Sequence, residues 1–150
     1  MMKEEFVTLS VMSWLSSEGW SILSYDFPQS GTGFILRKNG TRHKTKATFI
    51  PDIVAVKNNT ALIFENKDHF SCDDVSKLEL LKNSDEYSNS LNTLLGDYKS
   101  YKIYFGIAIP KISIECKKSI VQKDNVDFIL TVDTNGIVRS LFKKSDIAAF

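Results

Sequence analysis

Two apolar segments separated by Asn58-Asn59 constrain this chain more than any other feature. Phe49-Ile50-Pro51-Asp52-Ile53-Val54-Ala55-Val56 precedes the two asparagines, and Leu62-Ile63-Phe64-Glu65-Asn66-Lys67 follows them. Asn tolerates the positive φ of a tight turn, so the pattern predicts strands over Thr45 to Lys57 and Ala61 to Lys67, joined as a hairpin. A two-residue turn pairs Lys57 with Thr60 and Val56 with Ala61. Carried outward, that register sets Asp52 opposite Glu65, with Cβ atoms roughly 4.5–5.5 Å apart on one face. Lys67 lies two residues beyond Glu65 and emerges on the same face.

Two carboxylates directly opposite each other destabilise a sheet. A divalent cation between them reverses the sign, and hard cations such as Mg²⁺ prefer oxygen ligands of this kind. An ammonium at Lys67 then sits beside the metal and any bound phosphate, where it can offset growing negative charge or hold an attacking water. The Asn66 side chain points the other way, but its backbone carbonyl is available to the metal. The plain alternative is two surface acids and a lysine that pairs with them. It leaves unexplained why all three follow apolar strand residues on one face.

The rest of the chain supplies a frame for this hairpin. With 150 residues, 43% hydrophobic and 25% charged, it has the size and composition of one ordinary domain, 1–150. Phe6, Leu9, Met12 and Leu15 recur at helical spacing, which predicts a helix over residues 3–17 that stops near Gly19. Trp20 to Phe27 reads as a first strand, and Phe34 to Arg37 as a strand end before the turn signal Asn39-Gly40. Ser71-Cys72-Asp73-Asp74 has the form of a capping box, which starts a helix through Val75, Leu78 and Leu81 that breaks near Ser84 and resumes toward Leu95. Tyr101 to Ile109 is a strand buried on both faces, ended by Pro110. Phe128 to Val132 and Ile137 to Leu141, joined through Asn135-Gly136, read as a late hairpin. This order describes an α/β domain with a mixed central sheet flanked by helices.

Pro51-Asp52, then twelve residues, then Glu65-Asn66-Lys67, resembles the signature of the PD-(D/E)xK nuclease superfamily, to which restriction endonucleases and Holliday-junction resolvases belong. The resemblance implies an α-β-β-β-α-β restriction-endonuclease-like core, here followed by a C-terminal hairpin. It implies phosphodiester hydrolysis with Mg²⁺, for which Mn²⁺ is a possible substitute, and Asp52 and Glu65 as metal ligands. Some members add an acid from the first helix. Glu5 is chosen over Glu4 for that role because it lies near the face of Leu9 and Met12. Many members carry a basic or polar residue in the helix after the motif, a position that Lys77 occupies.

The 19 basic and 18 acidic residues leave a net charge of +1, but their distribution is uneven. Arg37, Lys38, Arg42, Lys44 and Lys46 lie within ten residues that contain no acid. Lys38, Arg42, Lys44 and Lys46 are candidate contacts to a DNA backbone, with a solvated hairpin as the competing explanation. His43 and His69 read as polar loop residues. Cys72 and Cys116 form no C-x-x-C pair, which argues against structural zinc. The beginning of the chain lacks the layout of a signal peptide, and no apolar run is long enough to cross a bilayer, so the expected location is the cytoplasm. The expected function is a Mg²⁺-dependent endonuclease acting on DNA, working on a duplex as a homodimer. The second expectation is a catalytically weak nucleic-acid-binding or assembly module on the same fold.

Overall fold

A computed structural model of the protein describes residues 2–27, 32–40 and 48–147. Helix α1 (Glu4–Ser17) leads into strand β1 (Ser21–Tyr25), followed by β2 (Ile53–Lys57) and β3 (Thr60–Asn66). Helices α2 (Cys72–Asn83) and α3 (Ser88–Leu95) precede β4 (Lys102–Pro110), and α4 (Ser113–Val121) precedes β5 (Phe128–Val132) and β6 (Val138–Lys143). The six strands form one mixed sheet in chain order, β1-β2-β3-β4-β5-β6. β1, β2 and β3 pair antiparallel, β3, β4 and β5 pair parallel, and β6 returns antiparallel to β5. The protein is thus an α/β fold with a six-stranded mixed sheet and, among the described residues, four α-helices. None of them is long and apolar enough to cross a membrane.

Alternation along the central strands divides the core into two layers. Val54, Val56, Ala61, Ile63, Phe105, Ile107 and Ile109 face α2 and α3, and pack on Val75, Leu78, Leu81, Leu91 and Leu95. Ile53, Ala55, Leu62, Phe64, Ala108 and Leu130 face the other way, and pack on Val7, Val11, Leu15 and Trp20. A sheet covered on both faces needs continuous apolar strands, and β4, buried along most of its length, meets that need as expected. Gly106 is required by this packing. A Cβ built there would lie 2.3 Å from Cδ2 and Cε2 of Phe128, which is fully buried and has no room to retreat. Gly106→Ala is expected to destabilise the fold by about 1–3 kcal/mol. A lower urea midpoint with an unchanged m-value would register it.

Four expectations need correction. The core stripe of α1 is Val7, Val11 and Leu15, whereas Phe6 and Leu9 are exposed. Both stripes are apolar, so helical spacing alone does not choose between them. β2 starts at Ile53 rather than Thr45, because Pro51 has no N–H to give to a ladder; Phe49 makes only an isolated bridge with Leu36. Ser71 is the N-cap of α2, but its side chain makes no capping hydrogen bond. Asp74 is a methylene shorter than the glutamate of a full capping box, and it turns into the interior instead. Helix α4 has no counterpart in the sequence pattern. Ser119 is its one buried residue, while Ile114, Ile120 and Val121 are exposed, so it lacks the core-facing apolar stripe that announces a helix.

Candidate active site

The turn that builds the site forms as its residues require. Asn58 and Asn59 adopt φ of 49° and 61°, and the register runs from Lys57↔Thr60 through Val56↔Ala61 to Ile53↔Phe64. The paired ladder ends there, one step short of an Asp52↔Glu65 pair. Asp52 is held instead by hydrogen bonds to both neighbours of Glu65. Its N–H donates to the Phe64 carbonyl at 3.0 Å, and its Oδ2 accepts the Asn66 N–H at 2.7 Å. Its own carbonyl accepts the Asp26 N–H at 2.9 Å, which ties the site to the chain beyond β1.

Asp52 and Glu65 are 8% and 6% exposed. Burial pushes the Asp52 carboxyl up to about 7, against the lowering effect of the Asn66 N–H, with Glu4 adding to the rise. Burial and the nearby Asp52 charge hold Glu65 well above the usual carboxylate range. Lys67 follows β3 directly, and its N–H donates to the Ala108 carbonyl at 3.1 Å. Burial works against the Lys67 charge, but Asp74, Glu4, Glu65 and Asp52 outweigh it and raise its pKa. One ammonium therefore stands among four carboxylates.

Two of those four differ from expectation. Glu4, not Glu5, is the α1 carboxylate brought to Lys67, with Oε2 3.9 Å from Nζ. It shares a stripe with Thr8, Val11 and Leu15, the buried side of the helix, whereas Glu5 is exposed and lines an open cavity of about 560 Å³ with Lys3, Phe6 and Leu9. Burial raises the Glu4 pKa, with Lys67 opposing. Asp74, read from sequence as part of a cap, is 4% exposed, and its Oδ2 has no hydrogen-bond partner. Burial raises its pKa too, against Lys67 and Lys77. Nothing in the spacing of Ser71-Cys72-Asp73-Asp74 separates an inward Asp from a capping one. Glu115 of α4 was also unforeseen; its Oε2 accepts the Phe70 N–H at 2.6 Å and anchors the loop that follows Lys67.

The remaining candidates are spread more widely. The Asn66 side chain turns to α1, where its amide donates to Thr8 Oγ1 at 3.2 Å, and its Oδ1 is buried without a partner. Lys77 is exposed on α2, and its charge bears on both Glu65 and Asp74. Lys38 pairs with Glu86 at 3.4 Å. Arg42, His43, Lys44 and Lys46 lie outside the described residues. His69 is exposed, and its Nδ1 lies 2.5 Å from Asp68 Oδ1.

Among the described residues, no three carboxylate, thiol or imidazole side chains converge as a ready metal cage. The donors present suit a hard cation that keeps much of its water, because Mg²⁺ is commonly held by one or two carboxylates together with substrate oxygens. Asp52 and Glu65 are two buried carboxylates of that kind, and the unpartnered Asp74 Oδ2 is a further buried acceptor whose charge bears on Glu65. No family model matches the sequence, and no curated protein does.

Raised carboxyl pKa values have a stability consequence with a definite sign. Between the ordinary 3.8 of Asp52 and its folded value of about 7, the folded chain binds more protons than the unfolded chain. Stability therefore falls as pH rises through that window. Asp52→Asn removes the penalty while its amide oxygen can still accept the Asn66 N–H. At pH 8 without metal, the variant is expected to gain at least ~1 kcal/mol, or about 2–4 °C in melting temperature. The gain should vanish near pH 4, as thermal unfolding at the two pH values will show.

Proposed function

We propose that the protein is a Mg²⁺-dependent endonuclease that hydrolyses DNA phosphodiester bonds. The observation that supports this most is the burial of Asp52, just before β2, and Glu65, near the end of the adjacent β3, close to Lys67. A fold keeps unfavourable buried acids together chiefly where they serve a site. The element order α1-β1-β2-β3-α2-α3-β4 contains the succession of a restriction-endonuclease-like core with α3 added before β4, and the antiparallel β5-β6 pair, which α4 separates from β4, would be the C-terminal hairpin.

Asp52, Glu65 and the Asn66 carbonyl would hold the cation. When bound, it supplies positive charge to the phosphate under attack and lowers the pKa of a coordinated water. The Lys67 ammonium orients the attacking water or offsets charge on the phosphate oxygens. Glu4 and Asp74 keep that ammonium charged and turned toward the carboxylates. Lys77 and Lys38, with Arg42, Lys44 and Lys46, would meet the nucleic-acid backbone. A chain of this size that cuts both strands of a duplex does so as a two-fold homodimer, while one copy suffices for a single strand. The expected setting is the cytoplasm.

The test is incubation with labelled single-stranded, duplex and branched DNA and with RNA, each in Mg²⁺, Mn²⁺ or EDTA. Metal-dependent cutting of at least one of them is the expected result. Binding without cutting of any form would make the protein a nucleic-acid-binding or assembly module instead. A smaller effect separates the two helix acids: Glu4→Gln is expected to lower kcat several-fold, and Glu5→Gln to leave it unchanged.

A further inference from the structure

Helix α1 turns two large apolar side chains away from the core. Phe6 is 38% exposed and Leu9 50%, and with Met2, Lys3, Glu5 and Thr134 they line the open cavity of about 560 Å³ beside the helix. We propose that this face is the contact between two copies of the chain, joined about a two-fold axis that runs along α1. The contact stands whether or not the chain cuts nucleic acid, and it would supply the homodimer that cutting of a duplex requires.

Single exposed apolar residues are ordinary, whereas contiguous ones rimmed by charge mark contact surfaces. Here two elements make the surface continuous. A Cβ built on Gly136, in the turn between β5 and β6, would lie 3.2 Å from Ser10 Oγ and 3.6 Å from Phe6 Cζ. That turn therefore abuts the outward side of α1, and its Thr134 shares the cavity with Phe6 and Leu9. The helix is apolar on two sides, of which the core takes only Val7, Val11 and Leu15.

Charge identifies the occupant. Among the described residues, neither Lys3 nor Glu5 has an ion-pair partner. Helical residues follow one another at about 100°, so Phe6 and Leu9 share one side, with Lys3 on one flank of them and Glu5 on the other. Two residues apart, these charges do not meet within the chain. A face with a cation on one flank and an anion on the other is complementary to itself. In a two-fold contact, residue i meets j and j meets i. With the axis along α1, the helices run parallel and each Lys3 faces the partner's Glu5, about 3 Å further along the helix. With the axis across α1, the flanks would meet like to like. The charges thus select the first arrangement, in which Phe6 and Leu9 meet their own copies across the axis. A nucleic acid or an anionic lipid surface would suit the Lys3 flank and be repelled by the Glu5 flank.

Sedimentation velocity on the whole protein tests this over about 1–100 µM, where a micromolar dissociation constant is read directly. Wild type is expected to move from 17.0 kDa toward twice that mass as concentration rises. Leu9→Glu changes an exposed position, so its melting temperature should match wild type while it stays monomeric throughout. Charge reversal tests the orientation. Neutralising an exposed pair changes little, so Glu5→Gln should dimerise nearly as well as wild type. Lys3→Glu or Glu5→Lys alone sets like charges opposite each other twice per dimer, and should weaken dimerisation by about tenfold or more. Lys3→Glu and Glu5→Lys together restore opposite charges and should return it to within a few-fold of wild type. A monomeric wild type, a dimer that Leu9→Glu leaves intact, or a double variant no stronger than the single ones would overturn the inference. Metal-dependent cutting by a strictly monomeric chain would do so while leaving the nuclease reading intact. A dimer with the expected responses, in a protein that cuts nothing, would leave the contact standing and remove the nuclease.

Discussion

Lys67→Ala is expected to lower kcat by about 10²–10³-fold while nucleic-acid affinity changes little. The magnitude is that of removing one well-placed electrostatic contact to charge that develops in the transition state. On the proposed reading binding should survive, because Lys38 and Lys77 are the residues proposed to meet the backbone and neither is removed by the substitution. Single-turnover cleavage and anisotropy on the same preparation separate the two quantities. The substitution also leaves Glu4, Asp52, Glu65 and Asp74 without their shared cation. The variant should therefore depend more steeply on pH than wild type, and lose stability above neutrality. Parallel loss of binding and turnover would show that Lys67 serves the nucleic-acid surface or the fold rather than the chemistry.

The largest expected loss of stability lies outside the site, at Asp127. This carboxylate is almost completely buried and receives Lys82 Nζ and Lys144 Nζ, each at 2.7 Å from Oδ1. Its Oδ2 accepts the Phe105 N–H at 2.9 Å, so it joins α2, the end of β6 and the start of β4's buried stretch. Burial alone would raise its pKa, but the two lysines and the Phe105 N–H outweigh it, and the carboxyl sits below its ordinary 3.8. Asp127→Ala strands a buried N–H and leaves two ammonium groups facing each other. The expected cost is about 2–4 kcal/mol. It lies below that of breaking a fully buried pair because both lysines can turn to solvent. Because the folded pKa is depressed, this stabilisation is complete above about pH 4 and is lost as pH falls further. Urea unfolding at neutral pH and near pH 3 should show a wide gap between variant and wild type in the first case and a narrow one in the second.

The parts of the fold that were legible in the sequence are those governed by local rules. Asn58-Asn59 sets a turn, the turn sets a register, and the register places Asp52 and Glu65 near each other. The apolar run of β4 announces a strand covered on both faces. What stayed hidden depends on choices that local pattern leaves open. α1 carries two apolar stripes, and packing selects Val7-Val11-Leu15. That selection brings in Glu4 and leaves Glu5 in solvent. Asp74 satisfies the rules for a cap and for an interior acid equally well, and only the approach of α2 to Lys67 decides between them. α4 buries Ser119 rather than an apolar row, so neither the helix nor the contact from Glu115 to Phe70 had a periodicity to reveal it. Pro51, part of the motif, also truncates β2, so Asp52 is held by Phe64 and Asn66 instead of a ladder partner.

The central claim is that the buried Asp52–Glu65 pair is a site for a divalent cation. Electron paramagnetic resonance of Mn²⁺ titrated with the protein tests it most directly, since the signal of the free aqua ion is lost on binding. One ion per chain is expected for wild type, displaced by Mg²⁺, with no such site in Glu65→Gln. A wild-type protein that leaves the Mn²⁺ signal untouched, or a Glu65→Gln variant that binds the ion as well as wild type, would contradict it.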